Sequence, residues 1–146
     1  MNREDKDISL DSSILPERKS LRISVPFSDL RYFYKPGDSA LTYRFVYRVN
    51  IWNDSKTSVK LVARKWVAAD VESRLHIIEA EKVFNSCPIL PANGVFAYGG
   101  MQDFQCCPRS VELRIAGVDQ LLAPFISSPY SFSHKQLTPY PLTDID

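Results

Sequence analysis

The chain has 146 residues, with 18 Lys and Arg against 17 Asp and Glu and a formal net charge of +1. That length fits one domain with short terminal extensions, and a body of about 100 residues is long enough to bury a core. The near balance of charge gives no general drive towards nucleic acid or an anionic membrane, so any basic site has to be local.

Residues 1–19 mix both charge signs with Ser12, Ser13 and Pro16 and show neither helical nor strand periodicity, which reads as a flexible N-terminal tail. The opening Asn2, Arg3, Glu4, Asp5, Lys6, Asp7 is too charged for a secretory leader, and no run of about 18 apolar residues follows. A cytoplasmic protein without a membrane segment is expected.

The ordered body begins near Leu21. Leu21 to Val25 reads as a short strand stopped by Pro26, which lacks the amide a sheet ladder needs, and Pro36, Gly37 and Asp38 mark a turn. From Tyr43 to Trp52 the pattern is period two: Tyr43, Phe45, Tyr47, Val49 and Ile51 alternate with Arg44, Val46, Arg48, Asn50 and Trp52. Successive strand side chains point to opposite faces, so the first set should line a core and the second face outwards.

Asn53, Asp54 and Ser55 supply turn chemistry before a second long strand, Val59 to Ala69, and the two are expected to pair as a hairpin. Its alternation shifts between Val59, Leu61, Ala63 and Val62, Trp66, which indicates a bulge or two buried faces. Leu75 to Ile78, Val83 to Phe84, Val95 to Tyr98 after the Asn93-Gly94 turn, Phe104 to Cys107, and Val111 to Ala116 complete a set of about seven or eight strands. No segment keeps a 3.6-residue period for three turns. The fold class is all-β, an immunoglobulin or fibronectin type III-like sandwich of antiparallel strands over residues 20–124. Residues 125–146 carry Pro129, Pro139 and Pro141 among Ser, Thr and Tyr and read as a C-terminal extension, with Phe125, Tyr130, Phe132 and Tyr140 available for packing.

Three cysteines, Cys87, Cys106 and Cys107, make an odd count with two adjacent, a poor basis for a disulfide framework. Free thiols are expected, with a Cys87–Cys106 bridge as the alternative. The two histidines, His76 and His134, belong to no His, Cys or carboxylate cluster with metal-ligand spacing, and no nucleophile elbow places Ser, His and Asp together. The sequence therefore predicts no metal, no cofactor and no catalytic residue, and His76 reads as a surface or half-buried strand residue.

At this point the residues resemble the ApaG family, from about Ile23 to Pro124. Phe45, Tyr47, Val49, Ile51 and Asn53 are similar to its first long strand, and Leu61, Arg64 and Trp66 to its Leu, Arg, aromatic, Trp stretch. Pro88, Phe96 and Tyr98 follow at matching spacing, then Gly100, Met101, Gln102 and Phe104, and Val111 to Leu122 resembles the closing strand. The resemblance implies a sandwich found alone in bacteria and as a recognition domain appended to F-box and polymerase-interacting proteins, with no enzyme activity. Family members often carry a Gly-x-Gly-x-x-Gly segment where this chain has Ala80, Glu81, Lys82, Val83, Phe84, Asn85; all three glycines are replaced, which argues against a phosphate-cradling loop. The stretch between Tyr98 and Met101 is also several residues shorter than is usual in the family.

Two functional readings follow. The first is a non-catalytic protein-interaction module that holds a protein partner or a second copy of itself through an exposed sheet edge or end loops, with Trp52, Asp103 and Phe104 as candidate contact residues. The second is a binder of phosphate-rich small molecules, nucleotides or dinucleoside polyphosphates. Here Arg44 and Arg48 stand on one strand, Lys60 and Arg64 potentially across the hairpin, and Arg44, Arg48, Arg64 and Lys82 act as anchors. The bland alternative for these cations is an ordinary solvated face neutralised by Asp70, Glu79 or Glu81. Trp66 resembles the buried tryptophan of an immunoglobulin-like core.

Overall fold

The computed structural model describes residues 15–83 and 86–142. In it the chain forms β1 (Glu17–Arg18), β2 (Leu21–Tyr34), β3 (Leu41–Asn53), β4 (Val59–Ala69), β5 (Leu75–Glu81) and β6 (Ile89–Leu90). These are followed by β7 (Val95–Phe104), β8 (Ser110–Val118), β9 (Pro124–Ser127), β10 (Tyr130–Ser131), a 3-10 turn at Lys135–Leu137, and β11 (Tyr140–Pro141). Seven strands have four or more residues, and β1, β6, β10 and β11 are two-residue pairings. One sheet runs β1-β9-β8-β4-β5, with β10 on β8 and β6 on β4; the other runs β11-β2-β3-β7. The all-β sandwich expected from the alternation is what forms. Its long strands pair antiparallel, and the parallel pairings among the described residues are two short ones, β1 with β9 and β11 with β2.

The core lies between the sheets and follows the period-two sets. Phe45, Tyr47, Val49 and Ile51 of β3 are buried facing Leu61, Trp66 and Ala68 of β4 and Val111, Leu113 and Ile115 of β8. Trp66 is fully buried, as its resemblance to a core tryptophan implied. Its ring centroid lies 4.9 Å from Tyr47, 6.2 Å from Phe45 and 5.8 Å from Phe132. The parity shift in β4 is a register irregularity between Leu61 and Ala63 against β8, which restores the inward direction to Trp66 and Ala68.

Several expectations are revised. β3 and β4 do not pair as a hairpin: β3 belongs to the four-stranded sheet and β4 to the other, so residues 54–58 arch between sheets. The buried Asn53 side chain fixes that arch. Its Nδ2 donates to the carbonyls of Thr57 at 2.8 Å, Leu90 at 3.1 Å and Pro91 at 3.0 Å, while Oδ1 accepts from Ser55 Oγ at 2.7 Å. Alternation tells which side chains face inwards but not which strand lies beside them, and both strands supply one inward face to a shared core.

Pro26 does not end the first long strand, because β2 continues to Tyr34 through a register shift between Ser24 and Phe27 that leaves the proline outside the ladder. Val83 is buried but not in a strand, and β7 ends at Phe104, so Cys106 and Cys107 lie in the loop before β8.

The segments read as tails are built into the sheets wherever they are described. Leu15 is buried and Glu17–Arg18 pairs with Ile126 and Ser127; residues 1–14 lie outside the described residues. On the C-terminal side Phe125 and Ile126 are buried in β9, and Phe132 and Leu137 join the core. Among the described residues no helix is long and apolar enough to cross a membrane.

Candidate functional site

The outward face of the four-stranded sheet carries most of the residues that the sequence singled out. Because Phe45, Tyr47, Val49 and Ile51 face the core, Arg44, Val46, Arg48, Asn50 and Trp52 face away from it. Register then places their neighbours: Trp52 lies between Arg22 and Val95, Asn50 between Ser24 and Ala97, Arg48 between Phe27 and Gly99, and Val46 beside Met101. Phe27, Trp52, Val95 and Met101 are 52%, 41%, 64% and 60% exposed, so this face is unusually apolar for one turned to solvent. The Arg22 guanidinium sits 5.9 Å from the Trp52 ring centroid and pairs with Asp54 at 2.9 Å, which holds the indole against the sheet.

The face ends at an open edge. β7 pairs with β3 over ten consecutive residues without a bulge, and among the described residues no further strand follows it in the sheet. From Val95 to Gln102 that edge strand has no charged residue and no proline. The Tyr98 to Met101 stretch, read from the family resemblance as a shortened loop, lies within this continuous strand.

The four proposed phosphate anchors do not share a surface. Arg44 is committed to Asp103 in a bidentate pair, Nε to Oδ1 at 2.8 Å and Nη2 to Oδ2 at 3.0 Å, and it stacks 4.8 Å from the Phe33 ring centroid. Hydrogen bonding from Arg44, reinforced by the Arg44 and Lys35 charges, lowers the Asp103 carboxyl below its ordinary range, and the same bond raises Arg44. Arg48 stands exposed on the outward face.

Arg64 lies in the opposite sheet, where its Nη1 donates to the carbonyls of Lys82 at 2.7 Å and Val83 at 3.1 Å. Its charge reaches the Tyr47 and Tyr98 phenols, offsetting part of the rise that burial imposes on both. Arg64 thus anchors a loop across the core's margin instead of meeting Arg44 and Arg48 on a common face. Lys82 adopts a left-handed φ of 69° at a position where the family often has glycine, and its amide bonds the Val62 carbonyl at 2.7 Å. Phe84 and Asn85 lie outside the described residues.

Of the three candidate contact residues, Trp52 is exposed, Asp103 is engaged by Arg44, and Phe104 is 3% exposed and belongs to the core. Phe104 continues the inward parity of Phe96 and Tyr98. The sequence reading ends one strand at Tyr98 and starts another at Phe104, and the structure joins them in one strand. His76, read as an ordinary strand residue, meets Asp70 and Cys106 at one end of the sandwich.

The ApaG domain family model matches residues 35–112, from the turn after β2 to the start of β8. The chain belongs to the ApaG domain family. The protein ApaG of Vibrio atlanticus (strain LGP32) is similar at 36% identity over 56 residues, which is 38% of this chain and 44% of that protein. The match therefore spans less than half the length of that relative. An X-ray structure of a Northeast Structural Genomics Consortium target superposes with a TM-score of 0.61 at 19% identity, covering 82% of this chain and 90% of the other. A Bordetella pertussis protein described as ApaA gives a TM-score of 0.57 at 22% identity, over 78% and 93% of the two chains. These two likenesses are likenesses of fold, and they extend over the β-sandwich of this ApaG domain.

Proposed function

We propose that this ApaG domain is a non-catalytic protein-interaction module that pairs with another polypeptide by strand addition at β7, a second copy of the chain being the first partner. One observation carries the reading. Of the strands that end the two sheet paths, β1 and β11 are two residues long, and β5 places Glu79 and Glu81 among seven residues; β7 is long, regular and uncharged until Asp103. Short length and edge charge are the devices by which sheets avoid pairing, and β7 has neither. The exposed Val95 and Met101 of β7, with Trp52 of β3 beside them, supply apolar area of the kind that aromatic-rich contacts use. Three free cysteines support a reducing, cytoplasmic compartment for the module.

The test is sedimentation equilibrium of the purified chain across a wide concentration range, with the double variant Ala97→Lys, Met101→Lys beside it. Both positions are exposed on β7 and accept a long side chain without disturbing the core. The wild type is expected to form a dimer and the double variant to remain monomeric with an unchanged fold. A dimer of equal strength in both proteins would overturn the reading.

A further inference from the structure

Three chemically different donors converge at the end of the sandwich, two from either side of one tight connection and the third from a distant loop. Asp70 follows β4, His76 is the second residue of β5, and Cys106 lies in the loop between β7 and β8. His76 Nε2 is 3.1 Å from Asp70 Oδ2 and 3.3 Å from Cys106 Sγ, and the three donor atoms all lie within 4.8 Å of one another. We propose that Asp70, His76 and Cys106 form a three-ligand binding site for a zinc-class divalent cation.

The geometry separates this from a catalytic relay. A Cys-His-Asp relay uses the two ring nitrogens for different partners, one towards the nucleophile and one towards the carboxylate. Here the same nitrogen, Nε2, faces both the thiol and the carboxylate. Donors aimed at one common point are what a metal requires. In a tetrahedral site with bonds of about 2.0 Å to nitrogen and oxygen and about 2.3 Å to sulfur, the N···O edge is about 3.3 Å and the N···S edge about 3.5 Å. The two His76 spacings are about 0.2 Å shorter than these edges and the Asp70 and Cys106 donor atoms lie within 4.8 Å of each other, so side-chain rotations can bring the three onto one ion. The donor set also selects the ion. One thiolate, one imidazole and one carboxylate suit zinc and its borderline neighbours, and they do not suit magnesium or calcium, which take oxygen alone.

The ligands are held before any ion arrives. Asp70 is 3% exposed, and its Oδ1 accepts the backbone N–H groups of Glu72 at 2.9 Å and Arg74 at 3.0 Å. The turn beneath it is closed by the Ser73 amide on the Asp70 carbonyl at 2.9 Å and the Asp70 amide on the Arg74 carbonyl at 3.0 Å. Pairing of His76 with Ala68 fixes the imidazole's root, and the Arg109 amide on the Ala69 carbonyl at 2.7 Å ties the Cys106 loop to the residue before Asp70.

Asp70 Oδ2 also receives Arg74 Nε at 3.0 Å. Arg74 is 68% exposed, and a carboxylate oxygen has a second lone pair, so the guanidinium can share that oxygen or swing into solvent. The His76 side chain is 38% exposed, which leaves the fourth coordination position to water. Loading replaces the thiol proton of Cys106 by the metal and releases that proton to solvent.

The experiment is titration of the full, reduced chain with Zn2+ by calorimetry, together with Co2+ loading read by thiolate-to-cobalt charge-transfer absorption. One ion per chain is expected, with the charge-transfer band present in the wild type. Cys106→Ser should abolish the band, and His76→Gln should weaken Zn2+ binding by more than about 100-fold, beyond the 10–100-fold typical of an outer-shell partner. Cys87→Ser and Cys107→Ser should leave both readouts unchanged. Absence of stoichiometric binding would overturn the proposal, as would retained affinity in the His76 and Cys106 variants. Both of these side chains are partly exposed, so the test does not depend on Asp70 variants folding.

Discussion

Replacing Phe132 by alanine tests whether the C-terminal segment belongs to the cooperative fold. Phe132 is 7% exposed, and its ring centroid lies 4.7 Å from Phe45, 5.1 Å from Tyr130 and 5.8 Å from Trp66. Truncating a buried phenylalanine costs about 3–5 kcal/mol, the spread depending on how far the surroundings collapse into the space. Tyr130 beside it is only half-buried and can move inwards, which places the expected loss at about 3–4 kcal/mol. At roughly 3 °C per kcal/mol for a chain of this size, the midpoint should fall by about 10 °C. Urea unfolding followed by Trp66 fluorescence reads the free energy, and Phe132→Leu should lose far less. A loss below about 1 kcal/mol would refute the packing argument and return residues 128–142 to the status of an appendage.

Three further outcomes are expected. Asn53→Ala removes the amide that binds three carbonyls of the inter-sheet arch, and equilibrium unfolding should show a loss of about 2–3 kcal/mol. Arg64→Ala leaves the Lys82 and Val83 carbonyls without their guanidinium donor; a cost of about 1–2 kcal/mol and faster proteolytic nicking near residue 82 are expected, with no change in response to nucleotides. Asp103 is held below its ordinary range by Arg44, so its stabilising contribution is complete above the ordinary carboxylate range and disappears as pH falls through the depressed folded value. Asp103→Asn should therefore flatten the acid limb of stability against pH and cost only about 1 kcal/mol at neutral pH, because the pair is partly solvated.

Much of the fold was legible because burial leaves a period-two trace. The run from Tyr43 to Trp52 identified β3 and its inward set, Val59 to Ala69 gave β4 with its irregularity, and Trp66 stood out as a core residue. Sheet membership left no comparable trace. Five residues joining two strands read as a hairpin unless the buried amide of Asn53 and its partners near Pro91 are known, and those contacts are nearly 40 residues away in sequence.

The basic patch depends on the same hairpin, since only that pairing sets Lys60 and Arg64 across from Arg44 and Arg48, and the two strands lie in different sheets. The prolines after Pro124 obscured the tail's role: they limit regular structure without preventing Phe125, Phe132 and Leu137 from burying apolar surface. The Asp70, His76 and Cys106 cluster has no spacing motif because two separate loops and a strand bring it together. A partial signal was available. An Asp just beyond one strand and a His early in the next face each other across a tight antiparallel connection, as the Ala68 to His76 register shows.

Whether β7 is a pairing edge is read from backbone amide hydrogen exchange across Val95 to Phe104, measured from dilute to concentrated chain. Amides on the open side of β7 are expected to exchange quickly when dilute and to become protected as concentration rises, and Ala97→Lys, Met101→Lys should remove the concentration dependence. Exchange along β7 that stays the same at every concentration would contradict it.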